Sequence, residues 1–211
     1  MSTLTEIGEA LEHGKRKQVV QLVQQGLDEG LAPQQILTEG LLPGMDRVGL
    51  KFRNNEIFVP EVLVAARAMS AGTEVLKPLL AEAGSTSKGK AVLGTVKGDL
   101  HDIGKNLVKM MLEGKGIEVV DLGVDVAPET FVQAAKDNNA ALICCSALLT
   151  TTMPVIGDVV KAAEAAGIRD KVKIMVGGAP LTQEFCDSIG ADCYTPDAAS
   201  AAICAVELLS A

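Results

Sequence analysis

The sequence predicts a helical bundle over residues 1–88, followed over residues 89–211 by a doubly wound α/β domain with a five-stranded parallel sheet. Three observations predict it. Apolar residues recur at helical spacing from Leu4 to about Ala83. A small, polar, flexible stretch comes next at 84–89, with the composition of a linker. Beyond it, short apolar runs alternate with helical stretches of ten residues or so. A chain of 211 residues can bury a sufficient core in either part. Aromatic residues make up only 2% and tryptophan is absent, so aliphatic packing must carry that core.

The first helix is marked by Leu4, Ile7 and Leu11, and the second by Val19, Leu22, Val23 and Leu27. Gly30 and Pro33 separate the second from a third, which has Ile36, Leu37 and Leu41 on one face. Pro43-Gly44 is expected to break or kink the chain after that third helix. A long last helix starts near Pro60, a favourable first-turn residue, and carries Val62, Ala66, Met69, Thr73, Leu76 and Leu80. Short links make neighbouring helices antiparallel, hence a small bundle.

In the second part, residues 91–96, 117–122, 140–145, 172–176 and 191–194 read as strands. Helical stretches near 103–114, 129–137, 153–166, 181–189 and 197–209 lie between and after them. Strands joined by helices imply a parallel sheet covered on both faces. Right-handed crossovers then give a flavodoxin-like, broadly Rossmann-like order, with ligands expected at the carboxyl ends of strands one, three and four.

Those ends carry the most informative residues. The run from Val96 to Lys105 sets His101 between Asp99 and Asp102 where a strand becomes a helix. Only His13 and His101 are histidines, and the five cysteines show no C-x-x-C spacing, so a closed zinc cage of side chains is hard to assemble. A metal held by one protein ligand needs its other ligands from elsewhere, and a macrocycle supplies them. Asp99 and His101 are two apart in an extended loop, so the carboxylate can accept the second imidazole N–H and orient the ring. Gly104 costs about 1 kcal/mol against alanine in a first helical turn, which close approach of a ligand would explain. The same reading applies to Gly177 and Gly178 after strand four. Asp102 suits an N-terminal helix cap. A nucleotide phosphate about 4 Å from Asp99 or Asp102 would meet repulsion of roughly 4 kcal/mol at an effective dielectric of 20, and G-x-G-x-x-G is missing. A phosphorylated receiver domain would need an aspartate closing strand three, where Cys144-Cys145-Ser146 stands instead.

The D-x-H-x-x-G of Asp99, His101 and Gly104, the Ser146-Ala147-Leu148 sequence and the Gly177-Gly178 pair occur in the order of a cobalamin-binding signature. Together with the helical part, they resemble the corrinoid proteins of anaerobic methyltransferase systems and the cap and cobalamin modules of methionine synthase. The resemblance covers nearly the whole chain. It implies a cobalamin or related corrinoid whose cobalt takes His101 as lower axial ligand, the cofactor's own base being displaced. Asp99 would be the partner of His101, and Thr152 would end the relay, where the family more often has serine. Gly98, Asp102, Ile103 and Gly104 would border the corrin. Ser146, Leu148, Thr150, Gly177 and Gly178 would line a slot for the nucleotide tail. Phe52 and Val59 match two positions that shield the upper face of the corrin, the second more often leucine in the family; both also suit plain bundle core.

The function implied by the resemblance is a methyl carrier. It accepts a methyl group on cobalt from a substrate-specific methyltransferase and passes it to a second methyltransferase that loads tetrahydrofolate or a thiol, with a reductive activator as a further partner. The linker at 84–89 would be the hinge that lets both enzymes reach one face. Two alternatives share the motifs: the cobalamin-binding subunit of a carbon-skeleton mutase, which lacks such a helical cap, and a cobalamin-sensing regulator, which needs a basic recognition helix that residues 1–88 do not offer. A fragment of methionine synthase is disfavoured because Met1 opens the cap directly. The net charge of −8 argues against nucleic acid and anionic membranes as partners. No apolar run reaches the length of a membrane span and the first ten residues lack a signal-peptide core, so a cytoplasmic location with reduced core cysteines is expected.

Overall fold

The computed structural model describes residues 2–82 and 88–210. The expected hinge falls largely on 83–87, outside the described residues. Contacts divide the chain into two compact units, Met1–Thr86 and Ser87–Ala211.

In the first unit, α1 (Thr3–Glu12) starts at Ser2, whose side chain accepts a hydrogen bond from the Thr5 N–H. The second helix, α2, spans Arg16–Asp28, and a third segment runs from α3 (Pro33–Gln35) through a π-helical stretch (Ile36–Leu41) into α4 (Leu42–Arg53). Of the break or kink expected at Pro43-Gly44, the break is absent: the helical chain continues through it. Proline lacks the N–H that an unbroken α-ladder would need at 43, and the preceding turn widens, with the Leu42 N–H donating to the Leu37 carbonyl five residues back. Gly44 has a packing role: a Cβ there would stand 2.8 Å from the Gly8 carbonyl oxygen, so α1 and α4 cross backbone to backbone. The long α5 (Val59–Glu82) completes the unit. Ile7, Leu11, Val19, Val23, Leu41, Met45, Val48, Val62 and Leu76 form its buried aliphatic centre.

The second unit alternates β1 (Lys90–Val96), α6 (Ile103–Glu113), β2 (Glu118–Val126), α7 (Pro128–Asp137), β3 (Leu142–Ser146), α8 (Met153–Ala165), β4 (Lys173–Gly177), α9 (Gln183–Ser188), β5 (Cys193–Tyr194) and α10 (Ala198–Ser210). All pairings are parallel and the order is β2-β1-β3-β4-β5, the flavodoxin-like arrangement expected from the sequence. Helices α6 and α10 pack together, as do α7 and α8. Phe131 of α7 is fully buried, and its ring lies where a Cβ on Gly94 of β1 would come within 2.9 Å. Strand β2 runs four residues further than its apolar run suggests. Its pairing with β1 shifts register at Leu93/Gly94 and again at Gly94/Val96, so β2 continues past the irregularity to Val126.

Two pairings align the functional end of the sheet: Thr95 of β1 with Ser146 of β3, and Ser146 with Gly177 of β4. The loops bearing the three motifs thus leave the sheet from one transverse row, on either side of the point where the strand order reverses.

The expectation of reduced cysteines holds for three of the five. Cys144, Cys145 and Cys186 are free and buried, while Cys193 and Cys204 are joined as a disulfide because α10 returns past the short edge strand β5.

Gly178 illustrates how tightly the strand ends are drawn together. Its φ is +142°, and a Cβ would fall 1.8 Å from the Ala147 carbonyl oxygen, a backbone atom that cannot swing aside. Gly178→Ala should therefore lower stability by about 2–4 kcal/mol, read as a reduced urea midpoint of the cofactor-free protein. An unchanged midpoint would mean that the β3 and β4 ends are not pinned at this distance.

Candidate functional site

Where β1 ends, Gly98 adopts φ +84° and turns the chain so that Asp99 points inward. Asp99 is a carboxylate with no exposed surface, and burial alone would raise its pKa. Donors from two strand ends reverse that. Oδ2 accepts from the Leu148 N–H (2.7 Å), the Leu149 N–H (3.2 Å) and the Thr152 hydroxyl (2.9 Å). Oδ1 accepts from the His101 N–H (3.1 Å) and sits 2.7 Å from His101 Nδ1. The bonds from Leu148, the His101 ring, the His101 backbone and Thr152 outweigh burial and hold the carboxyl far below the usual range. A depressed folded-state pKa stabilises the fold above the ordinary carboxylate pKa of about 3.9, and that stability is lost progressively as pH falls from there through the lower folded value. Asp99 is thus a fixed anion at any neutral or mildly acidic pH.

This anchor fixes His101. With Nδ1 held at the carboxylate, Nε2 is the ring nitrogen left for a metal, and the side chain remains 53% exposed beside a fully buried partner. Thr95 Oγ1, at the end of β1, donates to the His101 carbonyl oxygen at 2.8 Å and fixes the main chain as well. In the same loop, Leu100 is 71% and Ile103 78% exposed, two large apolar side chains left at the surface. Gly104, in the first turn of α6, would meet nothing within 4 Å if it gained a Cβ. No neighbouring atom among the described residues requires glycine there.

Gly178 differs, since its own backbone geometry already requires glycine. A Cβ on Gly177 would make only an ordinary 3.7 Å contact with the Thr195 carbonyl oxygen. Ser146 lies beside Gly177, and the Ala147 N–H donates to the Gly177 carbonyl oxygen, so the β3 and β4 motifs join in one wall. Leu148 and Thr150 are exposed on the loop after β3, whereas Thr152 is buried and its hydroxyl lies 2.9 Å from both Asp99 Oδ2 and the Leu149 carbonyl oxygen. The threonine methyl lies near Gly98, at 3.6 Å from where a Cβ would be. Asp102 occupies the N-cap position of α6 without a side-chain capping bond; its Oδ2 accepts from Asn106 Nδ2 at 3.0 Å instead.

In the helical unit, Phe52 is half-buried in the last turn of α4 and Val59 is half-buried at the start of α5. They flank a turn in which the Phe58 N–H donates to Glu61 Oε2 at 3.0 Å. Phe58 itself, which no sequence motif singles out, is largely exposed. Glu12 accepts from Arg47 Nε at 2.7 Å and from Lys51 Nζ at 2.5 Å, tying α1 to the last turns of α4.

Other metal chemistry has little support among the described residues. No group of three or more His, Cys, Asp and Glu side chains is disposed to hold an ion. Burial pushes the Cys144 thiol up to about 12 and the Cys145 thiol well above its ordinary value, so neither is a thiolate at neutral pH. One half-exposed imidazole suits a cofactor that brings most of its own metal ligands.

Comparison with known proteins agrees with that chemistry. Residues 89–206 match a B12 binding domain family, and residues 3–77 match a second family of the same description. The chain is 46% identical over 208 residues to dimethylamine corrinoid protein 1 of Methanosarcina acetivorans, covering 98% of this chain and 97% of that protein. Among solved structures, the methanol:cobalamin methyltransferase complex MtaBC from Methanosarcina barkeri superposes with a TM-score of 0.88 at 31% identity, over 99% of this chain and 80% of the other. A cobalamin-binding protein from Desulfitobacterium hafniense DCB-2 gives 0.82 at 29% identity over 99% of both chains. A lone histidine on a buried aspartate, set at the switch point of a B12 binding domain with a B12-binding helical unit before it, places this chain in the family of corrinoid proteins of methyltransferase systems.

Proposed function

We propose that this protein is a corrinoid methyl carrier serving a methylamine methyltransferase, and that it binds its cofactor with the nucleotide base displaced and His101 Nε2 in its place. The observation that carries this reading is the pairing of a half-exposed His101 ring with a fully buried Asp99 carboxylate 2.7 Å away. Such a ring is pre-oriented by the anion behind it. A bound corrinoid supplies the cobalt that takes up and gives up the methyl group, chemistry that belongs to the cofactor. The chain supplies the rest. Asp99 and Thr152 hold the imidazole, Gly98, Asp102, Ile103 and Gly104 border the lower face, and Ser146, Leu148, Thr150, Gly177 and Gly178 line the slot for the nucleotide tail. The methylamine assignment is supported by the higher identity, over nearly the whole chain, to a dimethylamine corrinoid protein than to the methanol system. The methyl acceptor is loaded by a second methyltransferase using tetrahydrofolate or a thiol, and a reductive activator recovers oxidised cobalt. No helix among the described residues is long and apolar enough to cross a membrane, which suits a cytoplasmic carrier.

Visible absorption of anaerobically reconstituted protein tests the cofactor site. Wild type with hydroxocobalamin should retain about one corrinoid after desalting, with histidine-ligated features that His101→Ala lacks. Identical spectra from the two proteins would contradict histidine ligation, and loss of corrinoid from both would contradict the function. Gly104→Ala separates the ligand surface from the fold. Open space and helical backbone at this position predict unchanged or slightly higher stability of the cofactor-free protein, by up to about 1 kcal/mol. Corrinoid affinity should fall at least tenfold in a binding titration. Undiminished affinity would show that no ligand approaches there.

A further inference from the structure

Three residues other than glycine have positive φ among those described: Asn55, Asp125 and Asn139. Asn55 and Asn139 each follow a helix C-cap, where a left-handed residue is ordinary. Asp125 does not. It lies inside β2 at φ +56°, two residues after Gly123 at φ +82°, in the stretch where the β1–β2 register shifts. A left-handed side-chain residue within a strand is strained unless its surroundings over-determine it.

Its two hydrogen bonds both go to the loop that carries His101. Asp125 Oδ1 accepts from the Gly98 N–H at 2.7 Å, and the Asp125 N–H donates to the Asp99 carbonyl oxygen at 3.0 Å. In this left-handed turn Asp125 presents both its N–H and its carboxylate to that loop. The Asp99 side chain is held from the opposite side, by the loop after β3. The ligand loop is therefore gripped from both neighbours of β1, its side chain from β3 and its main chain from β2. None of the three sequence motifs includes the β2 grip.

We infer that Asp125 is a positioning residue for His101: its carboxylate and N–H clamp the backbone of Gly98 and Asp99, so that the imidazole is held for axial ligation before the corrinoid arrives. The inference rests on the reading of His101 as the axial ligand. It concerns a residue that would not touch the metal and acts through the loop.

Asp125→Gly isolates the carboxylate, because glycine keeps the N–H and accepts the positive φ without strain. Asp125→Asn keeps an acceptor at the same place and also tolerates that backbone. In the cofactor-free protein, amide hydrogen exchange at Gly98 should quicken about tenfold or more in Asp125→Gly and stay closer to wild type in Asp125→Asn, since the Gly98 N–H loses its side-chain acceptor only in the first. With hydroxocobalamin, the histidine-ligated fraction of the visible spectrum should fall in Asp125→Gly and be restored in Asp125→Asn, with the thermal midpoint of Asp125→Gly not lowered. Unchanged Gly98 exchange together with a full histidine-ligated fraction in Asp125→Gly would overturn the inference. A lowered midpoint with ligation intact would overturn it too, reducing Asp125 to a structural residue. Failure of the underlying reading is separable: His101→Ala would then match wild type in the spectrum, while the Gly98 exchange result stood apart.

Discussion

The site depends on one buried carboxylate. Asp99 has no exposed surface, yet it is ionised because five donors converge on its two oxygens from its own loop and from the loop after β3. An unpaired charge in that position would cost several kcal/mol, so the fold and the anion require one another. The anion closes β1 against β3 at the switch point of the sheet and fixes which histidine nitrogen faces outward. Loss of a single donor leaves the others in place, whereas loss of the carboxylate leaves four protein N–H and O–H groups and the imidazole without their common acceptor.

A metal site with one protein ligand, as proposed here, would place unusual demands on its surroundings. A cage of four ligands fixes a metal by their mutual geometry, but a lone imidazole can be aimed only by what holds its loop. Here the carboxylate, the Thr95 hydroxyl on the His101 carbonyl and the Asp125 bonds to Gly98 and Asp99 restrain that loop from three strands. Leu100 and Ile103, in the same loop, leave large apolar side chains exposed. Buried Cys144 and Cys145, held as thiols, leave the imidazole without competition from nearby sulfur.

Much of this is legible in the sequence. The alternation of apolar runs and helices predicts the strand order, because parallel strands joined by right-handed crossovers leave few topologies. The i to i+2 spacing of Asp99 and His101 predicts their hydrogen bond, and Thr152, six residues after Ser146, reaches the carboxylate as expected. What escapes the sequence depends on irregular backbone. The extension of β2 to Val126, and the role of Asp125, arise from register shifts and positive φ values that apolar periodicity does not encode. Pro43 reads as a break, yet a π-helical turn absorbs it, and Gly44 serves a helix crossing. Gly178 reads as a ligand glycine although the neighbouring Ala147 carbonyl already demands it. The Cys193–Cys204 pairing joins residues eleven apart through a tertiary return that spacing alone does not reveal.

The central claim is that a nitrogen of this chain, and not the cofactor's own base, occupies the lower axial position. Electron paramagnetic resonance of the cobalt(II) form, prepared with unlabelled protein and with protein carrying ¹⁵N-histidine, tests it most directly. The axial superhyperfine pattern should be a triplet in the first sample and a doublet in the second, because the coupled nitrogen changes spin with the label. A triplet that persists in the labelled protein would place the nucleotide base on cobalt and contradict the account.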